Sequence, residues 1–293
     1  MPAMFTPLNE DQTVNYEVIP AYAKYLVDSG VKNFLVGGTT SECMTFCVEE
    51  RKKIIDAWSS ATKATREHLQ VQVGGAPLAD VLELARYCQD VGVDSLLTLP
   101  ELYFKPTTID ELVFYVSQVA QAAPKLSIFY YHSPHRAQVL LNMPAFVAAA
   151  TAAIPNFKGI KFASKDLNEG AQVLRALKNE QQMLFAAETL IAPAALLGIK
   201  YSTCTSYNFF SRQAQEILDA VENSDVPKAR ILQEKLHLAV DAIISEGLWV
   251  PAMKAAMEIV TGINVGPPAR PYRPLSSEAK EKIRSELKTL GFC

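Results

Sequence analysis

The chain has few cysteines, and their spacing is not that of a disulfide-bonded or zinc-binding protein. Its 293 residues include five cysteines, an odd number with no CxxC pair: Cys43, Cys47, Cys88, Cys204 and Cys293. Disulfide frameworks and zinc sites need paired spacings, and the four histidines show no such spacing with the cysteines. We therefore expect reduced thiols, a cytoplasmic protein and no bound metal.

Charge of one sign and long apolar runs are also scarce. Lys and Arg number 28 against 31 Asp and Glu, which gives a net charge of −3, whereas nucleic acids and anionic membranes are bound by clustered basic residues. No apolar run reaches the roughly 18 residues of a membrane-spanning helix. The first residues, Met1–Phe5, lack the basic and apolar regions of a signal peptide. The expected partners are small molecules, and neither nucleic acid nor membrane is among them.

What the sequence does have is an alternation of short apolar runs with longer helical patterns. Eight runs predict strands, the last of them weakly: Ala3–Phe5, Asn33–Val36, Gln70–Val73, Ser95–Leu99, Ser127–Tyr131, Phe157–Phe162, Met183–Ala186 and Tyr201–Thr203. Eight helical patterns lie between and after them: Val18–Asp28, Val48–Thr62, Leu78–Asp90, Ile109–Ala122, Pro144–Ala152, Leu167–Lys178, Ile191–Leu197 and Ser211–Val221. Capping residues support two of these helices, with Thr108 before Ile109 and Asn142 before Pro144. Strands suited to burial on both faces indicate a parallel sheet.

Eight such units favour the α/β class and, within it, a (β/α)8 TIM barrel over an open doubly wound sheet. The open sheet would need a Gly-rich phosphate turn after its first strand, where this chain reads Thr6-Pro7-Leu8-Asn9. After residue 222 the strand signal stops and three helices are predicted: Val226–Glu246, Pro251–Thr261 and Ser277–Leu290. We therefore predict a barrel over 1–222 and a C-terminal helical region over 223–293.

The sixth predicted strand carries a lysine where a lysine is costly. Period-two alternation places Gly159, Lys161 and Ala163 on one face, so Lys161 would point into the barrel between small residues. Burial disfavours the ammonium form of a lysine, and the free amine can attack a ketone to form a Schiff base. The imine then acts as an electron sink for breaking or forming a C–C bond. The alternative is a structural lysine paired with a carboxylate in the barrel.

Two other strand ends carry polar groups, and barrel enzymes place their sites at the carboxyl ends of the strands. The segment from Gly37 to Glu42 reads GGTTSE, in which glycines, hydroxyls and N–H groups suit a carboxylate. It could equally be a capping turn into the helix near Val48. The fifth strand ends at Tyr131, whose phenol could shuttle protons or simply pack with a hydrogen-bonded hydroxyl.

Together these strand ends resemble those of the superfamily of N-acetylneuraminate lyases and dihydrodipicolinate synthases. Residues 31–42 look like the GTTGE segment of that superfamily, Tyr131–Pro134 like its YxxP segment, and Gly159–Phe162 like its Schiff-base strand. The order and spacing hold along the whole chain, including Gly266-Pro267-Pro268. The resemblance implies a pyruvate-dependent class I aldolase or lyase.

The resemblance also implies roles for individual residues. Lys161 would form the imine with pyruvate, Tyr131 would be the proton shuttle, and Thr39 and Thr40 would bind the pyruvate carboxylate and link to Tyr131. No metal or organic cofactor is implied, because the lysine imine is the electron sink. Tyr103 matches the tyrosine that family members insert into a neighbouring subunit's site, which implies a homotetramer built as a dimer of dimers.

Within the superfamily, the segments YYHSP and GIKF are similar to those of animal N-acetylneuraminate lyases. The implied reaction is the reversible cleavage of N-acetylneuraminate to N-acetylmannosamine and pyruvate, as a step of sialic acid breakdown. The residues implied at the sugar-binding half of the site are Ala163, Ala186, Glu188, Thr189 and Thr205. Several depart from the family pattern: Ala163 stands where Ser or Thr is usual, and Ala186–Thr189 replaces a Gly-x-Asp-Glu segment. Ser41 likewise replaces the last Gly of GTTGE.

Arg136 departs most from the lyase pattern. It stands two residues after Pro134, where dihydrodipicolinate synthases carry a carboxylate-binding Arg and neuraminate lyases an apolar residue. Arg136 either binds a second carboxylate as a bidentate partner or is an exposed loop residue. Two alternatives to N-acetylneuraminate cleavage therefore remain. One is the same Schiff-base chemistry with another sugar acid or a semialdehyde, and the other is a barrel that binds sialic acid or pyruvate without turnover.

Overall fold

A single parallel sheet organises the chain, of which the computed structural model describes all residues, 1–293. Its seven strands follow one another in chain order: β1 (Asn33–Val36), β2 (His68–Gln72), β3 (Ser95–Thr98), β4 (Ser127–His132), β5 (Phe157–Phe162), β6 (Gln182–Phe185) and β7 (Tyr201–Ser202). Because all neighbours are parallel, every strand ends at the same edge of the sheet, and residues that follow the strands are brought together there.

Twelve α-helices accompany the sheet: α1 (Val18–Asp28), α2 (Val48–Thr62), α3 (Leu78–Asp90), α4 (Ile109–Ala122), α5 (Pro134–Ala137), α6 (Met143–Ala153), α7 (Leu167–Ala176), α8 (Ile191–Leu196), α9 (Tyr207–Glu222), α10 (Val226–Ile244), α11 (Trp249–Thr261) and α12 (Ser277–Thr289). Two 3-10 turns lie at Cys43–Thr45 and Glu188–Leu190. The first four helices have the predicted bounds. The Thr108–Glu111 capping box and the Asn142 cap fix the starts of α4 and α6.

The predicted first strand, Ala3–Phe5, does not form a regular strand. Instead Pro2 bridges to Cys204, which follows β7, and Ala3 bridges to Leu35 of β1. The Ala3 amide donates to the Cys204 carbonyl at 3.1 Å, and the Leu35 amide donates to the Pro2 carbonyl at 3.1 Å. Proline has no amide hydrogen with which to extend a ladder. The sheet therefore has seven strands, and the N-terminal segment is hydrogen-bonded to both β1 and the residues after β7.

The side chains of β5 alternate as predicted from Gly159 onwards. Lys161 is in register with Tyr131 of β4 and Leu184 of β6. Tyr131 and Leu184 belong to a small apolar cluster on the inner face of the sheet, with Ala3, Leu35, Leu97, Leu99 and Phe129. Ile160 and Phe162 instead lie in the larger core between sheet and helices. Lys161 therefore lies on the inner face.

An irregularity in the pairing of β4 with β5 produces this arrangement. Ile128 is opposite Phe157, but the next residue, Phe129, is opposite Gly159, so Lys158 is an extra residue in β5. Such a bulge reverses the alternation of side chains beyond it. It allows Phe157 to pack in the helix-facing core while Lys161 lies on the opposite face.

The three C-terminal helices pack onto the helices that surround the sheet. Leu236 of α10, Met253 of α11 and Ile283 of α12 are fully buried in the same core as the residues behind the strands. No single helix combines the length and apolarity needed to cross a membrane; α10 and α11 meet the criterion only as a pair, bent by 113°. The division into 1–222 and 223–293 stays a prediction.

Gly159 provides a test of the bulge, since its φ is +147° and an added Cβ would clash with the carbonyl oxygen of Gln182 in β6. We expect Gly159→Ala to lower the free energy of unfolding by roughly 3 kcal/mol, because the strands must separate to admit the methyl group. The control is Gly30→Ala, which has φ +85° but no atom within 4 Å of the new Cβ. There only conformational strain of about 1 kcal/mol is expected. Equal losses in urea unfolding would contradict the steric role of Gly159.

Candidate functional site

The candidate site lies at the carboxyl ends of the strands, away from a large cavity at their other ends. That cavity has a volume of about 940 Å³ and lies at the amino ends, lined by residues that include Asn33, His68, Ser127, Lys158 and Gln182. We do not assign the chemistry to it, because the predicted catalytic groups, Lys161 and Tyr131, lie towards the other end of their strands. The side chains that converge there are described next.

Lys161 is 4% exposed. Its Nζ lies 4.2 Å from the centre of the Tyr131 ring. No carboxylate oxygen lies within 4.0 Å of this amine, in contrast to the other buried lysine, Lys254, which has an ion pair. The alternative of a structurally paired lysine is therefore wrong. An unpaired amine held over an aromatic ring is free to react with an incoming carbonyl group.

The two threonines after β1 face two different partners. The Thr39 Oγ1 lies 3.3 Å from the Tyr131 hydroxyl, which links this turn to the residue that lies against Lys161. The Thr40 Oγ1 lies 2.8 Å from the Thr205 Oγ1. The turn is not the cap of α2, since the N-cap of α2 is Cys47, whose side chain makes no capping bond. The helix-capping alternative for this segment is therefore wrong.

Ser41 fixes this turn to the N-terminal segment. Its Oγ donates to the Met4 carbonyl at 2.6 Å and accepts from the Gly37 amide at 3.0 Å. The Ser41 carbonyl also accepts from the Thr6 hydroxyl at 2.8 Å. These hydrogen bonds hold residues Thr39–Glu42, which we call the threonine turn, in place.

A buried ion pair attaches the same turn to the C-terminal region. The Glu42 Oε2 lies 2.8 Å from the Lys254 Nζ of α11, and both side chains are 2% exposed. The Glu42 Oε1 accepts from the Ala269 amide at 2.7 Å, while Lys254 also donates to the carbonyls of Thr6 and Pro267. Burial lowers the pKa of Lys254, and the Glu42 carboxylate opposes that shift. Removing one partner of such a pair would leave a buried uncompensated charge.

Glu188 is a buried carboxylate in the 3-10 turn after β6. Its Oε1 accepts from the amides of Thr205 at 2.8 Å and Ser206 at 3.3 Å. Burial raises the pKa of Glu188, outweighing these hydrogen bonds and the positive charge of Lys161, which both favour ionisation. The structure therefore brings together Glu188, Thr205 and Thr40 beside the Lys161–Tyr131 pair.

The remaining predicted sugar-binding residues line the edge of the sheet with little polarity. Ala163 and Ala186 are half-buried, and their amides extend the strand pairing to the carbonyls of His132 and Phe162. Thr189 is half-buried in the 3-10 turn that starts at Glu188. Their methyl groups and the single hydroxyl of Thr189 offer few hydrogen bonds to a polyhydroxylated ligand.

Two predicted residues lie outside this group. Arg136 is exposed on the short helix α5, so its role as a second carboxylate partner stays a prediction. Tyr103 is 83% exposed, and its ring lies 5.0 Å from that of Phe104, which is 81% exposed. The Glu101 carboxylate accepts from the amides of both aromatic residues. The loop thus presents two adjacent exposed aromatic rings, whose backbone amides are bound by Glu101.

Sequence reasoning missed one residue of the site, Trp249. This first residue of α11 donates its Nε1 hydrogen to the Thr205 Oγ1 at 3.2 Å. The signal available was weak: the chain has only two tryptophans, and a tryptophan that is largely buried usually finds a partner for its N–H. The identity of that partner depends on tertiary structure.

Glu188→Gln tests the cost of burying this carboxylate. The pKa of Glu188 is raised on folding, so the folded state holds the proton more tightly than the unfolded state does. The free energy of unfolding therefore falls as the pH rises through the folded pKa. The glutamine keeps an oxygen that can accept from the Thr205 and Ser206 amides. We expect the variant to be more stable than the wild type near pH 8 and similar near pH 4, below the usual pKa of Glu of about 4.3. Urea unfolding at both pH values measures this, and a variant that is less stable near pH 8 would contradict it.

Comparison with known proteins places this arrangement in a family. The sequence model of the Dihydrodipicolinate synthetase family matches residues 1–290. The N-acetylneuraminate lyase of Homo sapiens is 30% identical over 292 residues, which cover 99% of this chain and 91% of the relative. That of Gallus gallus is 31% identical over 290 residues, covering 98% and 94%.

Solved structures agree with these sequence matches. The N-acetylneuraminate lyase of Proteus mirabilis superposes with a TM-score of 0.94 at 32% identity, covering 100% of this chain and 98% of that one. The sialic acid aldolase of Aliivibrio salmonicida gives 0.94 and 32%, covering 100% and 96%. These findings confirm the superfamily predicted from the three strand ends: the chain belongs to the dihydrodipicolinate synthetase family.

Proposed function

We propose that this protein is a pyruvate-dependent carbon–carbon lyase that reversibly cleaves N-acetylneuraminate to N-acetylmannosamine and pyruvate through an imine on Lys161. The observation that carries the proposal is the buried, unpaired Lys161 amine over the Tyr131 ring, with the Tyr131 hydroxyl next to Thr39. The names of relatives that match nearly the whole chain support the choice of substrate.

In the proposed reaction, the Lys161 amine attacks the keto carbon of the open-chain sugar acid, and water leaves as the imine forms. Tyr131 gives its phenol proton to the departing water, which leaves a protonated imine and a phenolate. The phenolate then takes the proton of the hydroxyl two carbons away. The C–C bond between that carbinol carbon and the methylene then breaks, which releases the aldehyde and leaves its electron pair in an enamine. Proton return from Tyr131 and hydrolysis release pyruvate and restore the amine. No metal or organic cofactor is required, because the imine accepts the electrons.

The binding roles follow from the polar groups beside Lys161. Thr39 and Thr40, with the N–H groups of their turn, bind the carboxylate of the keto acid. Glu188 and Thr205 accept hydrogen bonds from the sugar hydroxyls, while Thr189, Ala163 and Ala186 shape the wall beside them. Ala163 and Ala186 cannot bond hydroxyls through their side chains, so we assign most of the sugar recognition to Glu188.

We further propose that the N-terminal segment serves as the eighth strand and closes a (β/α)8 barrel over residues 1–222. Its hydrogen bonds to Leu35 and Cys204 support this role. The C-terminal helical region, 223–293, then covers part of the closed barrel. The five free thiols favour the cytoplasm, where cysteines stay reduced.

The exposed Tyr103–Phe104 pair supports a homotetramer, a dimer of dimers. Two large aromatic side chains that are more than four-fifths exposed are unfavourable in water and favour burial against another subunit. In such an assembly Tyr103 would reach the site of the neighbouring subunit.

A second candidate function keeps the lysine imine but changes the aldehyde. Arg136 favours an aldehyde that carries a carboxylate, such as another sugar acid or a semialdehyde, because a guanidinium binds a carboxylate in bidentate fashion. Its exposure on α5 does not place it in the site of its own chain. A barrel that binds sialic acid or pyruvate without turnover is the third candidate, and the low polarity at Ala163 and Ala186 favours it.

The choice of aldehyde is tested by measuring released pyruvate with a coupled lactate dehydrogenase assay. We expect turnover of N-acetylneuraminate, and we expect Tyr131→Phe to lower kcat by about 10²–10⁴-fold because the proton shuttle is lost. The Arg136→Ala variant is the control, with little expected change for N-acetylneuraminate. Inactivity on N-acetylneuraminate together with Arg136-dependent activity on another acid would favour the second candidate.

Imine formation is distinguished from simple, non-covalent binding by trapping with borohydride in the presence of pyruvate. We expect a reduced pyruvate adduct on the tryptic peptide that contains Lys161, because reduction fixes the imine. Lys161→Arg should give none, since a guanidinium does not form the imine. Absence of an adduct in the wild type would exclude both enzymatic candidates.

A further inference from the structure

Three side chains from distant segments form a short hydrogen-bonded row at the site. Trp249, at the start of α11, donates its Nε1 hydrogen to the Thr205 Oγ1 at 3.2 Å. The Thr205 Oγ1 lies 2.8 Å from the Thr40 Oγ1, and either hydroxyl could donate across that contact. Thr40 and Thr205 are buried and Trp249 is half-buried. The row therefore runs from the C-terminal region to the turn that we assign to carboxylate binding.

The chemistry of the indole decides the direction of the row. An indole N–H can only donate, so Thr205 must be the acceptor in its bond with Trp249. A hydroxyl that accepts a hydrogen bond becomes a better donor through its own proton. The favoured arrangement is therefore donation from Trp249 to Thr205 and from Thr205 to Thr40. The proton of Thr40 is then left for a further acceptor.

We infer that Trp249 is a positioning residue that orients the Thr205–Thr40 hydroxyl pair so that Thr40 donates to the carboxylate of the bound keto acid. The inference rests on the proposed function, which places that carboxylate at Thr40. Without the indole N–H, Thr40 can donate to Thr205 instead and turn an oxygen lone pair towards the carboxylate, which disfavours an anion. Trp249 thus selects keto acids over neutral ketones without touching the reacting atoms.

The test compares two ketones that can form the same imine. Borohydride trapping on Lys161 is titrated with pyruvate, an anion, and with hydroxyacetone, a neutral ketone. For Trp249→Phe, which keeps an aromatic ring but removes the N–H, we expect the half-saturating pyruvate concentration to rise about fivefold, the loss of one hydrogen bond. The value for hydroxyacetone should stay unchanged. The matched control is Leu248→Ala, an exposed neighbour in the same connection, which should change neither value.

A double variant tests whether the effect passes through Thr205. In a Thr205→Val background, Trp249→Phe should cause no further rise for pyruvate, because the residue that accepts its hydrogen bond is already absent. Additive effects would overturn the inference. So would an unchanged pyruvate value for Trp249→Phe, or an equal rise for both ketones, which would indicate a general structural role.

An isosteric replacement of tryptophan distinguishes loss of the hydrogen bond from a folding defect. Benzothienylalanine, incorporated for tryptophan, keeps the size of the ring and removes the N–H at both positions. The only other tryptophan is Trp58, whose buried Nε1 has no hydrogen-bond partner, so only the Trp249 bond is lost. We expect the same selective rise for pyruvate, and its absence would overturn the inference. If wild-type protein forms no pyruvate adduct at all, the proposed function fails and the inference fails with it; a normal adduct with unchanged selectivity overturns the inference alone.

Discussion

The site depends on the register between β4 and β5, which places Tyr131 opposite Lys161. A regular ladder from Ile128 and Phe157 would have paired Tyr131 with Ile160 and would have turned Lys161 into the helix-facing core. The extra residue, Lys158, and the positive φ of Gly159 shift the pairing by one residue. The shift therefore brings Lys161 to the inner face, opposite the tyrosine whose hydroxyl contacts Thr39.

The C-terminal helices contribute to the site as well as to the core. Lys254 binds Glu42 and the carbonyls of Thr6 and Pro267, so it fixes the end of the threonine turn. Trp249 binds Thr205, which in turn contacts Thr40. Both attachments reach the turn after β1 from α11. The arrangement explains why the threonine turn can keep buried polar groups: each has a partner supplied from elsewhere in the chain.

Local signals predicted much of this structure. The bounds of α1–α4, the strands around Lys161 and the facing of Lys161 followed from periodicity and caps, because those signals lie within a few residues of one another. The bulge was not predicted. Period-two alternation describes the faces of the residues from Gly159 onwards, and the extra residue, Lys158, lies just before them. The irregular N-terminal segment and the Trp249–Thr205 bond could not be predicted, because each joins residues far apart in the chain and leaves no local pattern.

The central claim is that Lys161 forms an imine with pyruvate, held by the threonine turn. A crystal structure of the wild-type protein soaked with pyruvate tests it most directly. The account predicts continuous density from the Lys161 Nζ to the keto carbon, with the carboxylate within hydrogen-bonding distance of the Thr40 hydroxyl. Pyruvate bound without a covalent bond, or found only in the cavity at the amino ends of the strands, would contradict it.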